Sequence, residues 1–185
     1  MMSFQKLPLI LSLSALPLLA SAETDAKSKF RFIHEAYIGI GPMGWYYDDD
    51  SLPSSTATGG RLSAGVLITD RIGVELHLGM IGENRLTEER VTVELDTVDS
   101  VLLRLNGPAF PGLNFHALAG FSTAQIIITP EEVEGSAESA SGLSFGLGME
   151  FRPGDRYAVT VDYVRYLSEP DFVFQAVTGT FKWRY

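Results

Sequence analysis

From residue 34 to the end, apolar and small polar residues alternate in short runs with a period of two. That is the period of a β-strand, whose successive side chains point to opposite faces. The run 34–41 sets Ala36, Ile38 and Ile40 against Tyr37, Gly39 and Gly41. Residues 61–68 set Leu62, Ala64, Val66 and Ile68 against Arg61, Ser63 and Gly65, and 72–80 set Val74, Leu76, Leu78 and Met80 against Glu75, His77 and Gly79. A fourth run, 97–106, opposes Val101, Leu103 and Leu105 to Ser100, Arg104 and Asn106. A fifth, 113–123, opposes Leu113, Phe115, Ala117, Ala119 and Phe121 to Asn114, His116, Gly120 and Ser122. The sixth is the most regular: Leu143, Phe145, Leu147, Met149 and Phe151 against Ser144, Gly146, Gly148, Glu150 and Arg152. Tyr157, Val159, Val161 and Tyr163 then oppose Thr160 and Asp162. The last run places Val177, Gly179, Phe181, Trp183 and Tyr185 opposite Thr178, Thr180, Lys182 and Arg184.

Eight strands, an even number, suit a closed antiparallel up-and-down barrel. Connections 69–71, 107–112 and 153–155 read as short turns, the second as a Gly/Pro breaker cluster. Those after the first, third and fifth strands read as long and polar, and the one after the seventh as short and acidic. Face composition decides which side is inside. The polar face is mostly Gly, Ser, Thr and Asn, which suits a cramped eight-stranded interior, whereas a solvated outer face would be rich in Lys and Glu. The other face is Leu, Val, Ile, Phe and Ala, as lipid contact demands.

The closing run, with an aromatic at every second position to Tyr185, resembles the final strand of Gram-negative outer-membrane β-barrels. With the alternation over residues 32–185 it resembles the eight-stranded family of OmpA-type membrane domains and OmpX-like proteins. The resemblance implies a transmembrane β-barrel in the outer membrane, with short periplasmic turns, longer outward loops and both termini in the periplasm. It implies that the assembly machinery reads Phe181, Trp183 and Tyr185. Trp45, Tyr46 and Tyr47 are expected at the outer rim as an aromatic girdle, and Trp183 and Tyr185 at the periplasmic rim.

Residues 1–22 read as a cleaved secretory signal peptide: Lys6 gives the positive start, 7–19 the apolar stretch, and Ala20-Ser21-Ala22 the cleavage site. The barrel domain is then 23–185, with a short periplasmic lead-in over about 23–31. The chain has no cysteine, which excludes disulfides, and a net charge of -9, which argues against nucleic acid. Removing the leader removes one basic residue and no acidic one, so the mature chain is more acidic still. Acidic residues gather in the outward connections (Asp48 to Asp50, Glu83, Glu88, Glu89, Glu131, Glu132, Glu134, Glu138, Glu169, Asp171). These are solvated faces or a place for divalent cations that bridge to lipopolysaccharide phosphates.

Two motifs look catalytic and fail on context. Gly39-Ile40-Gly41-Pro42-Met43-Gly44 fits G-x-G-x-x-G, but no helical pattern follows. Gly142-Leu143-Ser144-Phe145-Gly146 fits the nucleophile elbow, yet Ser144 sits inside the most regular strand. His34, His77 and His116 have no metal spacing, and neither inward histidine is followed two positions later by the serine of lipid-A deacylases. No cofactor, metal site or catalytic residue is expected. The informative set is the inward charges Glu75, Arg104, Glu150, Asp162 and Lys182, with Arg61, Arg152 and Arg184 nearer the rims. Isolated charges there would be costly, so they are expected to pair, with Lys182 facing Glu150 or Asp162, and to plug the lumen. The expected function is a monomeric integral outer-membrane protein with a structural or surface-interaction role. A small pore for polar solutes and a lipid-modifying enzyme are the alternatives.

Overall fold

The computed structural model describes residues 33–49, 52–86, 91–130, 136–168 and 172–185; the expected leader and lead-in lie outside them. Eight antiparallel strands, β1 (Glu35–Asp49), β2 (Leu52–Leu67), β3 (Ile72–Leu86), β4 (Val91–Phe110), β5 (Leu113–Pro130), β6 (Ser136–Phe151), β7 (Tyr157–Ser168) and β8 (Phe172–Arg184), follow one another around a closed barrel. β8 closes on β1, with Tyr37 opposite Arg184 and Asp49 opposite Phe172. The alternation read from the sequence carries through: Ile38, Leu103, Phe145 and Phe181 are exposed on the outer face, and Glu75, Arg104 and Lys182 are buried within.

The strands run 12 to 20 residues, longer than the sequence pattern suggested. The polar stretch after the first run is not a long loop. Tyr47 pairs with Ser55 and Asp49 with Leu52, so the hairpin is strand almost to its tip. The breaker cluster is likewise smaller than expected. β4 continues through a register shift to Phe110, and only Pro111 and Gly112 turn the chain. Gly112 holds φ at 75°, where a Cβ would press on the neighbouring carbonyl oxygen. One end of the barrel therefore carries the short turns, together with Ile33 and Tyr185, and the other carries four extended hairpins.

Toward the hairpin end the pairing of the described residues is interrupted at two places. Among the described residues, β2 pairs with β3 only from Gly60/Met80 to Leu67/Gly73, and β6 with β7 only from Phe145/Arg165 to Phe151/Val159. Beyond those points β3–β4–β5–β6 form one four-stranded sheet and β7–β8–β1–β2 another. At the second parting β7 shifts register between Arg165 and Leu167, so Tyr166 and Leu167 are both buried in succession. Bulges at barrel rims end pairing in this way and re-aim a side chain. Leu167 is turned toward β6, where a Cβ on Gly142 would stand 3.5 Å from it. The Tyr166 carbonyl receives the Ser144 hydroxyl at 2.8 Å.

Gly112→Val should destabilise the barrel by about 1–2 kcal/mol, because a β-branched residue is forced into left-handed geometry. Urea unfolding after refolding into lipid vesicles measures this, and an unchanged midpoint would contradict the turn geometry.

The barrel interior as candidate functional site

The alternation that sends Leu and Phe outward sends Glu75 and His77 of β3, Arg104 of β4, His116 of β5, Glu150 of β6, Asp162 of β7 and Lys182 of β8 into one buried cluster. Glu75 is its centre. Its carboxylate accepts from the Tyr37 hydroxyl (2.6 Å), His77 Nε2 (3.0 Å), Arg104 Nη1 (3.0 Å) and Lys182 Nζ (3.2 and 3.3 Å). Arg104 also donates to Glu150 (2.8 Å) and to Asn106 Oδ1 (2.9 Å), whose own amide reaches the Asp70 carbonyl in the β2–β3 turn (3.0 Å). Lys182 Nζ lies 3.7 Å from Glu150 and 4.4 Å from the Tyr37 ring centroid.

A second knot joins Arg61, Asp162, His77, His116 and Tyr166. The Arg61 guanidinium donates to Asp162, to Thr180 Oγ1 (2.8 Å) and to the Tyr166 hydroxyl (3.4 Å). Arginine has no acceptor, so partners fix the histidine tautomers. His116 Nδ1 faces Arg104 Nη2 at 3.2 Å and must accept, leaving Nε2–H to donate to Asp162 at 2.8 Å. His77 Nε2–H likewise donates to Glu75, and its Nδ1 accepts from the Tyr166 hydroxyl at 3.1 Å. With both rings neutral, the fully buried charges are three cations (Arg61, Arg104, Lys182) and three anions (Glu75, Glu150, Asp162), and the partly exposed Arg152 adds a further contact to Glu150. Gly148 makes this possible on β6, because a Cβ there would collide with Asp162 and His116.

All five charges expected inside are thus buried and share hydrogen bonds, with two corrections. Arg61 is central rather than near a rim: it is 1% exposed and pairs with Asp162. Lys182 faces Glu75 first and Glu150 second, because Arg61 and His116 occupy Asp162. Arg152 and Arg184 do lie at the turn end. Arg152 donates to Glu150 (2.5 Å) and Arg184 Nε to Glu35 (2.7 Å).

The aromatic girdle is the larger correction. Tyr46 is on the outer face, but Trp45 and Tyr47 point inward and are only 2% and 5% exposed. They have the same parity as Tyr37, Gly39 and Gly41, and following that parity past Gly41 would have placed them. Within the barrel they join Met43, Val98, Leu102, Leu118, Ala124, Val164, Tyr166, Leu167, Phe174 and Ala176 in one apolar core. Phe174 stands 6.1 Å from Trp45 and 5.8 Å from Tyr166, between ring centroids. The small and polar residues that mark the inward face elsewhere give no signal for this layer, which only the parity of Trp45 and Tyr47 betrays.

Outside and inside both change character along the axis, although Leu102 and Leu118 of the apolar core still lie behind the exposed Leu103 and Ala119. At the level of Glu75 and Lys182 the outer face is apolar: Leu76, Leu103, Leu147 and Phe181 are all exposed. The apolar outer run of β6, Leu143 to Phe151, is about nine residues, roughly 20–25 Å along the axis once tilted. Nearer the hairpin end the outer positions become Thr56, Thr58, Asp99, Gln125, Ser139 and Ser141. Behind them lie Trp45, Tyr47, Phe174, Val98 and Ala124. Tyr166 bridges the two interiors, its ring in the apolar core and its hydroxyl in the polar network.

His77, His116 and Ser144 are each engaged by neighbours. Ser144 is one of three hydroxyls in file, 2.5 Å from Ser122, which is 2.7 Å from Ser100. His34 pairs with Asp70 at the turn end. Phe181, Trp183 and Tyr185 are exposed on the outer face, with Tyr157 5.2 Å from Trp183 and 5.6 Å from Phe181. Asp50, Glu88, Glu89, Glu131, Glu132, Glu134, Glu169 and Asp171 lie outside the described residues.

A family model described as outer membrane protein beta-barrel domain matches residues 9–184. No curated protein matches the chain in sequence. Among solved structures it is similar to Ail, the attachment invasion locus protein of Yersinia pestis (15% identity, TM-score 0.64, covering 82% of this chain and 98% of that one). It is similar also to Neisserial surface protein A (11%, 0.65, 80% and 96%) and to OprG of Pseudomonas aeruginosa (10%, 0.62, 83% and 97%). At these identities the likeness is one of fold.

Removing one member of a buried pair leaves the other charge uncompensated. Asp162→Ala should therefore cost about 3–5 kcal/mol in vesicle unfolding experiments. The double variant Arg61→Met, Asp162→Leu should recover a large part of that loss. If the double variant is as unstable as the sum of the single ones, the pair is not coupled.

Proposed function

Because the chain belongs to the outer membrane protein beta-barrel domain family and is an integral outer-membrane protein, we propose that it acts as a closed barrel with a structural or surface-interaction role. It neither conducts polar solutes nor catalyses a reaction. The observation that carries this reading is the pair of fillings in series, a charge-balanced network and then an apolar core. A hydrated ion would have to break the first and lose its water in the second. The absence of catalysis is supported by Ser144, which donates to the Tyr166 carbonyl rather than to a histidine, and by His77 and His116, which are both held within the buried network.

The turn end, with Tyr185, is assigned to the periplasm and the four hairpins to the outside, since barrels of this class have short periplasmic turns. The water-exposed hairpin sheets are then the part offered to other molecules. Their polar outer face, with Asp99, Gln125 and Ser139, suits contact with a hydrated surface.

Purified protein in planar bilayers should give no stable stepwise conductance, and lipid A incubated with it should keep its acyl groups. Regular conductance steps would establish the pore reading instead, and acyl loss the enzyme reading. For topology, protease added to intact cells should cut in 87–90 or 131–135 and spare Pro111–Gly112. Cleavage at Gly112 without permeabilisation would invert the assignment.

A further inference from the structure

Among the described residues, a shallow depression lies in the outer wall where the barrel's first and last strands meet. Its volume is about 150 Å³ and its lining comes from Gly44, Tyr46, Tyr163, Gln175 and Val177, with the strand positions Trp45 and Ala176 between them. The register explains its shape. Val177 stands opposite both Gly44 and Tyr163, and Gln175 opposite both Tyr46 and Arg165, so two rows cross the wall over β7, β8 and β1. In the lower row Gly44 has no side chain where its neighbours have large ones, and a Cβ there would meet nothing within 4 Å. Tyr46 and Tyr163 wall the dip on either side.

Its height on the barrel matters. Tyr163 is the last apolar outer position of β7, before Arg165, and on β8 the outer positions pass from Val177 to the polar Gln175 before Val173. The depression therefore straddles the edge of the apolar band, the level at which tyrosine settles between hydrocarbon and headgroups. It also carries hydrogen-bonding groups. The Tyr163 hydroxyl donates to Gln175 Oε1 at 2.6 Å, which fixes the amide and leaves its NH₂ as a donor at the rim.

We propose that this depression is a binding site for a single bilayer lipid. One acyl chain lies over Gly44 and Val177 between the two tyrosines, and the ester carbonyl at its head–tail junction accepts from the Gln175 amide. The occupant is argued from continuity. The dip opens onto the same apolar face that the barrel presents to lipid, so an acyl chain already surrounds it. Its polar edge matches the one place in a lipid where a carbonyl acceptor adjoins the chain.

Native mass spectrometry of protein released from bilayers of a diacyl phosphatidylethanolamine tests this. The wild-type barrel should emerge with one lipid retained. Gly44→Leu fills the dip without a backbone clash, and it should reduce the retained fraction at least fivefold while the heat-dependent gel shift still reports a folded barrel. Gln175→Leu, and wild-type protein in a diether phosphatidylethanolamine that lacks ester carbonyls, should each reduce retention about threefold. Equal retention by wild type and Gly44→Leu, or none by wild type, overturns the proposal. Equal retention of ester and ether lipids overturns the assignment of the carbonyl to Gln175. The ether-lipid comparison uses the unmodified chain, so it stands even if a variant folds poorly.

Discussion

Glu75 ties four strands together, and the closed barrel depends on how its charge is met. It accepts from Tyr37 on β1, His77 on its own β3, Arg104 on β4 and Lys182 on β8. Two of those partners, Tyr37 and Lys182, stand on the strands that close the circle. The carboxylate thus draws the seam together from inside, across a register that backbone hydrogen bonds also hold. Such a buried charge would be prohibitive alone, and the cation beside it brings its own desolvation cost. Each addition therefore requires another, which is why the cluster extends to Arg61, Asp162, Glu150 and the two histidines before its charges balance.

A wall one residue thick imposes a second rule, since any change in what surrounds it is answered directly within. The hairpin end obeys that rule with two sheets that part at β2/β3 and β6/β7. The register shift in β7 ends one pairing, turns Leu167 into the gap and leaves a carbonyl that Ser144 satisfies. A serine whose neighbours look like a nucleophile elbow is thus explained by the bulge beside it.

Alternation, strand number and order, and the five inward charges were legible from the chain, because a narrow barrel leaves each side chain only two directions. Strand length was not. Residues 42–49 and 52–60 are rich in Gly, Pro, Ser and Thr, which signal loops locally, and only pairing between the two strands keeps them extended. Trp45 and Tyr47 were misplaced for a related reason. Their parity points inward, whereas aromatic residues near the end of a membrane strand suggest an interfacial belt, and the two signals conflict at these positions. Arg61 could not be ranked against Arg152 or Arg184 from sequence, since depth along the axis follows from register between strands. Glu150 was a legible partner of Lys182, but its closer contact with Glu75 was not, for the same cause.

The two interiors differ because the two exteriors do. Where lipid bathes the wall, burying an apolar side chain inside gains little, since the alternative surroundings are equally apolar. Cohesion there must come from hydrogen bonds and ion pairs that water cannot compete for, and Arg61, Glu75, Arg104 and Asp162 supply it. Beyond the apolar band the wall meets water, the ordinary hydrophobic drive returns, and Trp45, Tyr47 and Phe174 pack as they would in a soluble β-sandwich. The division is graded, since Leu102 and Leu118 of the apolar core stand in register with Glu75 and Arg104, behind the exposed Leu103 and Ala119. Tyr166 stands where the two regimes meet and belongs to both, with a ring that packs on Phe174 and a hydroxyl that Arg61 and His77 hold.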